Sequence, residues 1–227
     1  MTLHAVVLYA CAVAVVLPGT QLVMAAVTVG VRPAGPLRLL SMLWGRPRPV
    51  AAGVLVAVMV AMALVQTLVP AVIPALERVP EGGWWRALTA LLVQTSGWGQ
   101  LVFNLVALAV IAPAAERRLG PVLMLAVFLL SGVAAQAVSM AGWSVHGGGD
   151  SVGICGLVGA LATVCGRDPG ERTLRVLSPL VPVAGVVLVL VENNHGMGIV
   201  VGAAAGALSG MRAGERSGKL RGQAGAS

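Results

Sequence analysis

Charge is what this chain has least of. Only 10% of its 227 residues are Asp, Glu, Lys or Arg, against about 25% in an ordinary soluble domain. With 58% apolar residues, the mean hydropathy reaches +0.93. A water-soluble globule is excluded, and disordered and coiled-coil chains fall with it, since both need abundant charge. Cysteine is also scarce: three, an odd number, at Cys11, Cys155 and Cys165, so no disulfide framework is implied. Cys155 and Cys165 would stand roughly 15 Å apart on one helix, out of bridging reach. Lysine is nearly missing, one against fourteen arginines, which with the wealth of Ala, Val and Gly points to a GC-rich bacterial genome and hence a bacterial plasma membrane.

What is present is a series of uncharged stretches near the ~20 residues that cross a bilayer. Seven candidates run from about 4 to 31, 50 to 75, 99 to 115, 121 to 143, 151 to 166, 174 to 191 and 195 to 211. The first has no basic leader and is too long for a signal peptide, so it counts as a spanning helix, with a kink expected at Pro18-Gly19. Arg32, Arg38, Arg46, Arg48, Arg117, Arg118, Arg167, Arg172, Arg175, Arg212, Arg216, Lys219 and Arg221 fall on one side and only Arg78 and Arg86 on the other. The positive-inside rule therefore places the N-terminus outside and the C-terminus in the cytoplasm, and accounts for the net charge of +7 without nucleic acid. Trp84, Trp85, Trp98 and Trp143 then mark the outer interface, and residues 76 to 98 read as an external loop lying partly in it. Past Met211 the small, basic composition predicts a disordered cytoplasmic tail.

No span carries a charge near its middle, which argues against an ion pathway, a proton relay or a transporter. Neutral polar groups instead gather near the external ends: Gln100 and Asn104, four apart on one face of the third span, Cys155 on the fifth and His195 on the seventh. The fifth span is only about 24 Å long against a ~30 Å core, so its outer end is expected to open into a wet depression. Gly153, Gly156 and Gly159 on the fifth span, and Gly198, Gly202, Gly206 and Gly210 on the seventh, give these helices faces without side chains, suited to close packing.

These residues resemble the rhomboid family of intramembrane proteases. Gly153-Ile154-Cys155-Gly156 is similar to its nucleophile motif Gly-x-Ser-Gly, with cysteine in place of serine. His195-Gly196-Met197-Gly198-Ile199-Val200-Val201-Gly202 matches His-x-x-Gly-x-x-x-Gly. Trp85-Arg86 with Thr89 resembles a loop signature, Gln100 to Asn104 the His-x-x-x-Asn motif with Gln for His, and Glu116-Arg117-Arg118-Leu119-Gly120 the Glu-x-Arg-Leu-Gly turn; Thr95 stands where a further histidine is common. The resemblance covers roughly residues 50 to 211. It implies an all-α polytopic membrane bundle: a six-helix rhomboid-like core at 50–211, one extra N-terminal transmembrane helix with a basic linker at 1–49, and the tail at 212–227.

The activity implied is endoproteolysis of transmembrane substrates near the external face. Cys155 would be the nucleophile and His195 the general base, with Asn104, Gln100 and backbone near Gly153 and Ile154 serving the oxyanion and substrate. A thiol at a helix start beside an imidazole is chemically suited to attack. The alternative is a rhomboid-like pseudoprotease that binds transmembrane helices without cutting, with Cys155 a mere filler. No cofactor is implied, and the partners are membrane-protein substrates or clients and the lipid bilayer. Two other readings fit the residues less well. Gly149-Asp150-Ser151-Val152-Gly153 fits the elbow of soluble hydrolases, which needs a strand and sheet that cannot form here, though Ser151, one turn above Cys155, is an alternative hydroxyl nucleophile. Cys155, His146 and His195 could in principle meet at a metal.

Overall fold

The computed structural model describes residues 2–27, 35–167 and 172–224, with side chains up to residue 209. All regular structure in them is helical; the one β contact is an isolated bridge between Arg78 and Gly147. The elements are α1 (Leu3–Val27), α2 (Pro36–Leu43), α3 (Val50–Leu68), α4 (Val72–Leu76), α5 (Arg86–Thr89), α6 (Gly97–Leu119) and α7 (Pro121–Val138), which ends in a π-turn (Ser139–Trp143). There follow α8 (Ser151–Cys165), α9 (Arg172–Leu177), α10 (Leu180–Leu190) and α11 (Asn194–Ala224). Five stretches are long and apolar enough to cross a membrane: Leu3–Ala26, Val50–Leu68, Gly97–Leu119, Pro121–Trp143 and Arg172–Leu190. Together with the short α8 and with α11 they fall on the seven expected spans, and the protein is an integral membrane helix bundle.

The far end of the first expected span, Arg32 and residues 168–171 lie outside the described residues. The expected tail differs in form: α11 continues to Ala224, so residues 212–224 are helical. Arg, Glu, Lys and Gln are good helix formers, and extending a helix already formed carries no nucleation cost.

The short helix α8 is the hub. Ten of the eleven residues from Val152 to Ala162 are buried, Cys155 being the exception, and its faces are divided between neighbours. Gly153 meets α7, where an added Cβ would stand 2.9 Å from the Phe128 ring. Gly156 stands between α7 and α11: a Cβ added to it would strike the Ser131 side chain of α7, while one at Gly202 would lie 2.7 Å from Gly156 Cα. Gly159 meets α11, where a Cβ would lie 3.1 Å from Ala203 N, and one at Gly206 would lie 3.0 Å from Ala160 Cα. The glycines of α8 thus serve two interfaces rather than one face. On α11, Gly198, Gly202 and Gly206 form a single seam against the α8 backbone, joined at Gly206 by the Thr163 hydroxyl.

The N-terminal helix is no loose appendage. Cys11, Leu22 and Val23 are buried in the same core as Leu157 and Leu161 of α8, and α1 packs on α6, α8 and α10. At the opposite end from His195, Glu116 caps α3 by accepting from the Ala51 and Ala52 N–H groups at 3.3 and 2.7 Å, as a carboxylate favours at a helix start. Arg117 donates to the Leu43 and Gly45 carbonyls. The charged turn is therefore structural. The Trp-Arg-Thr signature holds its own loop: Arg86 donates to the Pro74 and Glu77 carbonyls and lies 4.8 Å over the Trp85 ring, while Thr89 Oγ1 donates to Leu76 O. Trp84 and Trp98 are exposed.

Candidate active site

Helices α8 and α11 run parallel in a constant register. Gly198 faces Val152, Gly202 faces Gly156 and Gly206 faces Ala160, each pair separated by the same count along the chain. That register places His195 at the level of the start of α8, within two residues of Ser151. Cys155 is level with Val201, six residues or about 9 Å further in at ~1.5 Å per residue.

The hydrogen bonds follow the register. Ser151 Oγ lies 3.0 Å from His195 Nε2. Cys155 is half-buried, packs against the apolar core and makes no hydrogen bond among the described residues. The pairing of Cys155 with His195 expected from the motif is thus not the one in the structure. The residue one turn above it takes that place.

His195 is held from its other side. Asn193 Oδ1 accepts from both the backbone N–H and Nδ1–H of His195, each at 3.0 Å. An amide oxygen can only accept, so the proton sits on Nδ1, and Nε2 presents its lone pair to the Ser151 hydroxyl. Glu192, with a left-handed φ of 56°, turns the chain so that Asn193 can fold back over α11. Asn194 Nδ2 donates to Ser139 Oγ at 2.9 Å and pins the start of α11 to α7.

The loop before Ser151 is fixed with equal care. Gly147 and Gly149 have φ of +116° and +155°, values that exclude ordinary side chains, and a Cβ on Gly148 would lie 2.7 Å from Ala90 O. Thr95 Oγ1 donates to Gly148 O at 3.1 Å and accepts from its N–H at 2.9 Å. Gln100 Nε2 donates to the same carbonyl at 3.1 Å while its Oε1 accepts from Ser96 N. Gln136 Nε2 donates to Gly149 O. Beneath the loop Asp150 is fully buried. Its Oδ1 accepts from Gln94 Nε2 at 2.6 Å, Gln94 Oε1 accepts from Asn104 Nδ2 at 2.8 Å, and Gln66 on α3 accepts from the Gln94 N–H. Burial pushes the Asp150 carboxyl up to about 6, against the hydrogen bond from Gln94, which lowers it.

These groups surround a cavity of about 250 Å³ lined by Arg78, Thr95, Ser96, Gln100, Gln136, Ser144, His146, the glycines 147–149, Ser151, Val152, Asn194 and His195. Of the expected site residues, Gln100 and His195 line it. Asn104, Gly153 and Ile154 do not: Asn104 is buried behind Gln94, and the other two pack into the bundle. Cys155, His146 and His195 form no metal group, and no three potential ligands do among the described residues.

Ser151 and Val152, the first two residues of α8, have N–H groups that the helix itself leaves free, whereas those of Gly153 and Ile154 are taken by Asp150 O. A hydroxyl hydrogen-bonded to an oriented imidazole, beside free N–H groups at a helix start, has the chemistry to serve as nucleophile, base and anion cradle in one place. Sequence reasoning did not find Asn193, Asp150, Gln94 or Gln136. Two asparagines directly before the histidine, and three glycines directly before Asp150-Ser151, were the signals that could have pointed to them.

A helical membrane bundle that brings a hydroxyl and an imidazole together at two helix starts is an arrangement that suits an intramembrane protease or an inactive relative of one. The model of the Rhomboid domain matches residues 81–215, more than half of the chain. The chain belongs to the rhomboid family, whose members are intramembrane proteases or pseudoproteases derived from them. In a search of curated proteins, none matches it.

Proposed function

We propose that the protein is a serine-type intramembrane endopeptidase in which Ser151, not Cys155, is the nucleophile. The observation that carries this is the 3.0 Å contact between Ser151 Oγ and His195 Nε2, with Nδ1 bound to Asn193. His195 takes the hydroxyl proton as Ser151 Oγ attacks the scissile carbonyl carbon, and returns it to the leaving amine when the peptide C–N bond breaks. Water then repeats the sequence on the acyl-enzyme and frees Ser151. The N–H groups of Ser151 and Val152, with the unused hydrogen of Gln100 Nε2, face the charge that grows on the carbonyl oxygen.

The substrates are membrane proteins whose transmembrane helix unwinds into the cavity near the external face, with the N-terminus of the enzyme outside and its C-terminus in the cytoplasm of a bacterial cell. The test is cleavage of a panel of transmembrane reporters by the purified full chain. Ser151→Ala and His195→Ala each lower cleavage by about a thousandfold or more, while Cys155→Ala leaves it within a few-fold. Loss of activity in Cys155→Ala with retention in Ser151→Ala would return the nucleophile to the cysteine. Reporter binding without product from the wild type would mean a pseudoprotease.

A further inference from the structure

The cavity is one-sided in charge. Among the described residues its ionisable lining is Arg78, His146 and His195, with no Asp or Glu. Arg78 is 5% exposed, yet every acceptor it contacts is neutral. Nε donates to Ser144 O at 2.6 Å, one terminal nitrogen to Gln136 Oε1, and the other to Ser144 Oγ at 3.3 Å. Three of its five N–H groups are used, and two have no partner among the described residues. The neighbouring Glu77 acts on it only through its field, and Asp150 is turned away to Gln94. A buried cation without a counter-charge is costly, and one held on neutral dipoles in the wall of a substrate cavity attracts an anion into it.

We propose that Arg78 is a specificity-determining residue that receives a carboxylate of the substrate, the side chain of an Asp or Glu within a few residues of the scissile bond. The two free N–H groups and the planar guanidinium suit a carboxylate, and the bond is charge-assisted on both sides. Seating that side chain beside Ser151 and His195 fixes the register of the unwound chain across the dyad. This inference rests on the peptidase reading above.

The test is an Asp scan through the residues flanking the cleavage site of a transmembrane reporter, each Asp paired with its Asn isostere. The quantity read is the ratio of kcat/KM for the Asp and Asn members. In wild type at least one position favours Asp by about tenfold or more, the ratio shrinking as salt rises. Arg78→Gln brings that ratio to near one, Arg78→Lys keeps most of it, and Arg78→Glu shifts preference to a Lys-bearing reporter. A wild type with no Asp preference anywhere, or a preference that survives Arg78→Gln, overturns the proposal. So does an Arg78→Gln variant that slows both members equally, the signature of a tie between loops.

Binding separates the two readings. If no reporter is cleaved, tighter binding of an Asp than an Asn transmembrane peptide, lost in Arg78→Gln, upholds the carboxylate site while the peptidase reading fails. Equal binding of the two peptides sinks the carboxylate site. Cleavage without charge preference sinks this inference alone.

Discussion

Gly202→Ala separates catalysis from chemistry, because Gly202 touches no reacting group. An added Cβ would stand 2.7 Å from Gly156 Cα and closer still to its carbonyl oxygen. Carbon atoms prefer roughly 3.5 to 4.0 Å, and both neighbours are backbone, so no side chain can swing aside. Helices α8 and α11 must part by about 1 Å. The Ser151–His195 hydrogen bond spans the same two helices at 3.0 Å, and an opening of that size carries it to about 4 Å, beyond hydrogen-bonding range. A misplacement of this order costs about a hundredfold in rate, and overpacking of the seam costs on the order of 1–3 kcal/mol of stability. The assay is reporter cleavage by full-length protein in detergent, with thermal unfolding of the same samples, and Leu208→Ala on the exposed face of α11 as control. A folded Gly202→Ala protein cleaving within threefold of wild type would refute the claim that this glycine seam sets the dyad.

Substitutions at two further positions probe the groups around the dyad. Asn193→Ala removes the acceptor of the His195 Nδ1–H and should lower kcat on the order of tenfold or more, with Asn193→Asp, which keeps an acceptor oxygen, restoring most of it; an unchanged kcat in Asn193→Ala shows that the imidazole is oriented by something else. The Asp150 carboxyl, raised by burial to about 6 from 3.8, keeps its proton in the folded state at pH values where the unfolded chain has lost it. Stability from this group is therefore greatest below about pH 4 and declines as the pH rises to about 6, by about 3 kcal/mol in full. Asp150→Asn keeps an acceptor for Gln94 and should flatten that slope in unfolding measured from pH 4 to 7, whereas an equal slope in both proteins places the titration elsewhere.

The family and the bundle were legible because they depend on composition and spacing. Lengths of apolar sequence are set by membrane thickness, and motif residues by their order along the chain, so both can be read without any knowledge of packing. His195, Gln100 and the glycines of α11 were legible for the same reason. The residue that meets His195 was not. Gly149-x-Ser151 and Gly153-x-Cys155 are the same pattern one helical turn apart, and residues four apart share a helix face. No periodicity argument separates them, for they differ only in depth. Asn104 failed for a related reason: a shared face with Gln100 said nothing of Gln94, which stands between Asn104 and the cavity.

By itself, then, the chain of letters determined that helices cross a membrane and that neutral polar groups gather toward one end of them. Tertiary structure decided which of those groups meet. The close seam of Gly198, Gly202 and Gly206 against Val152, Gly156 and Ala160 fixes how far α8 stands along α11, and a shift of one turn would exchange a hydroxyl for a thiol opposite His195. That choice is made by backbone contact across two helices remote in sequence, which no local pattern encodes.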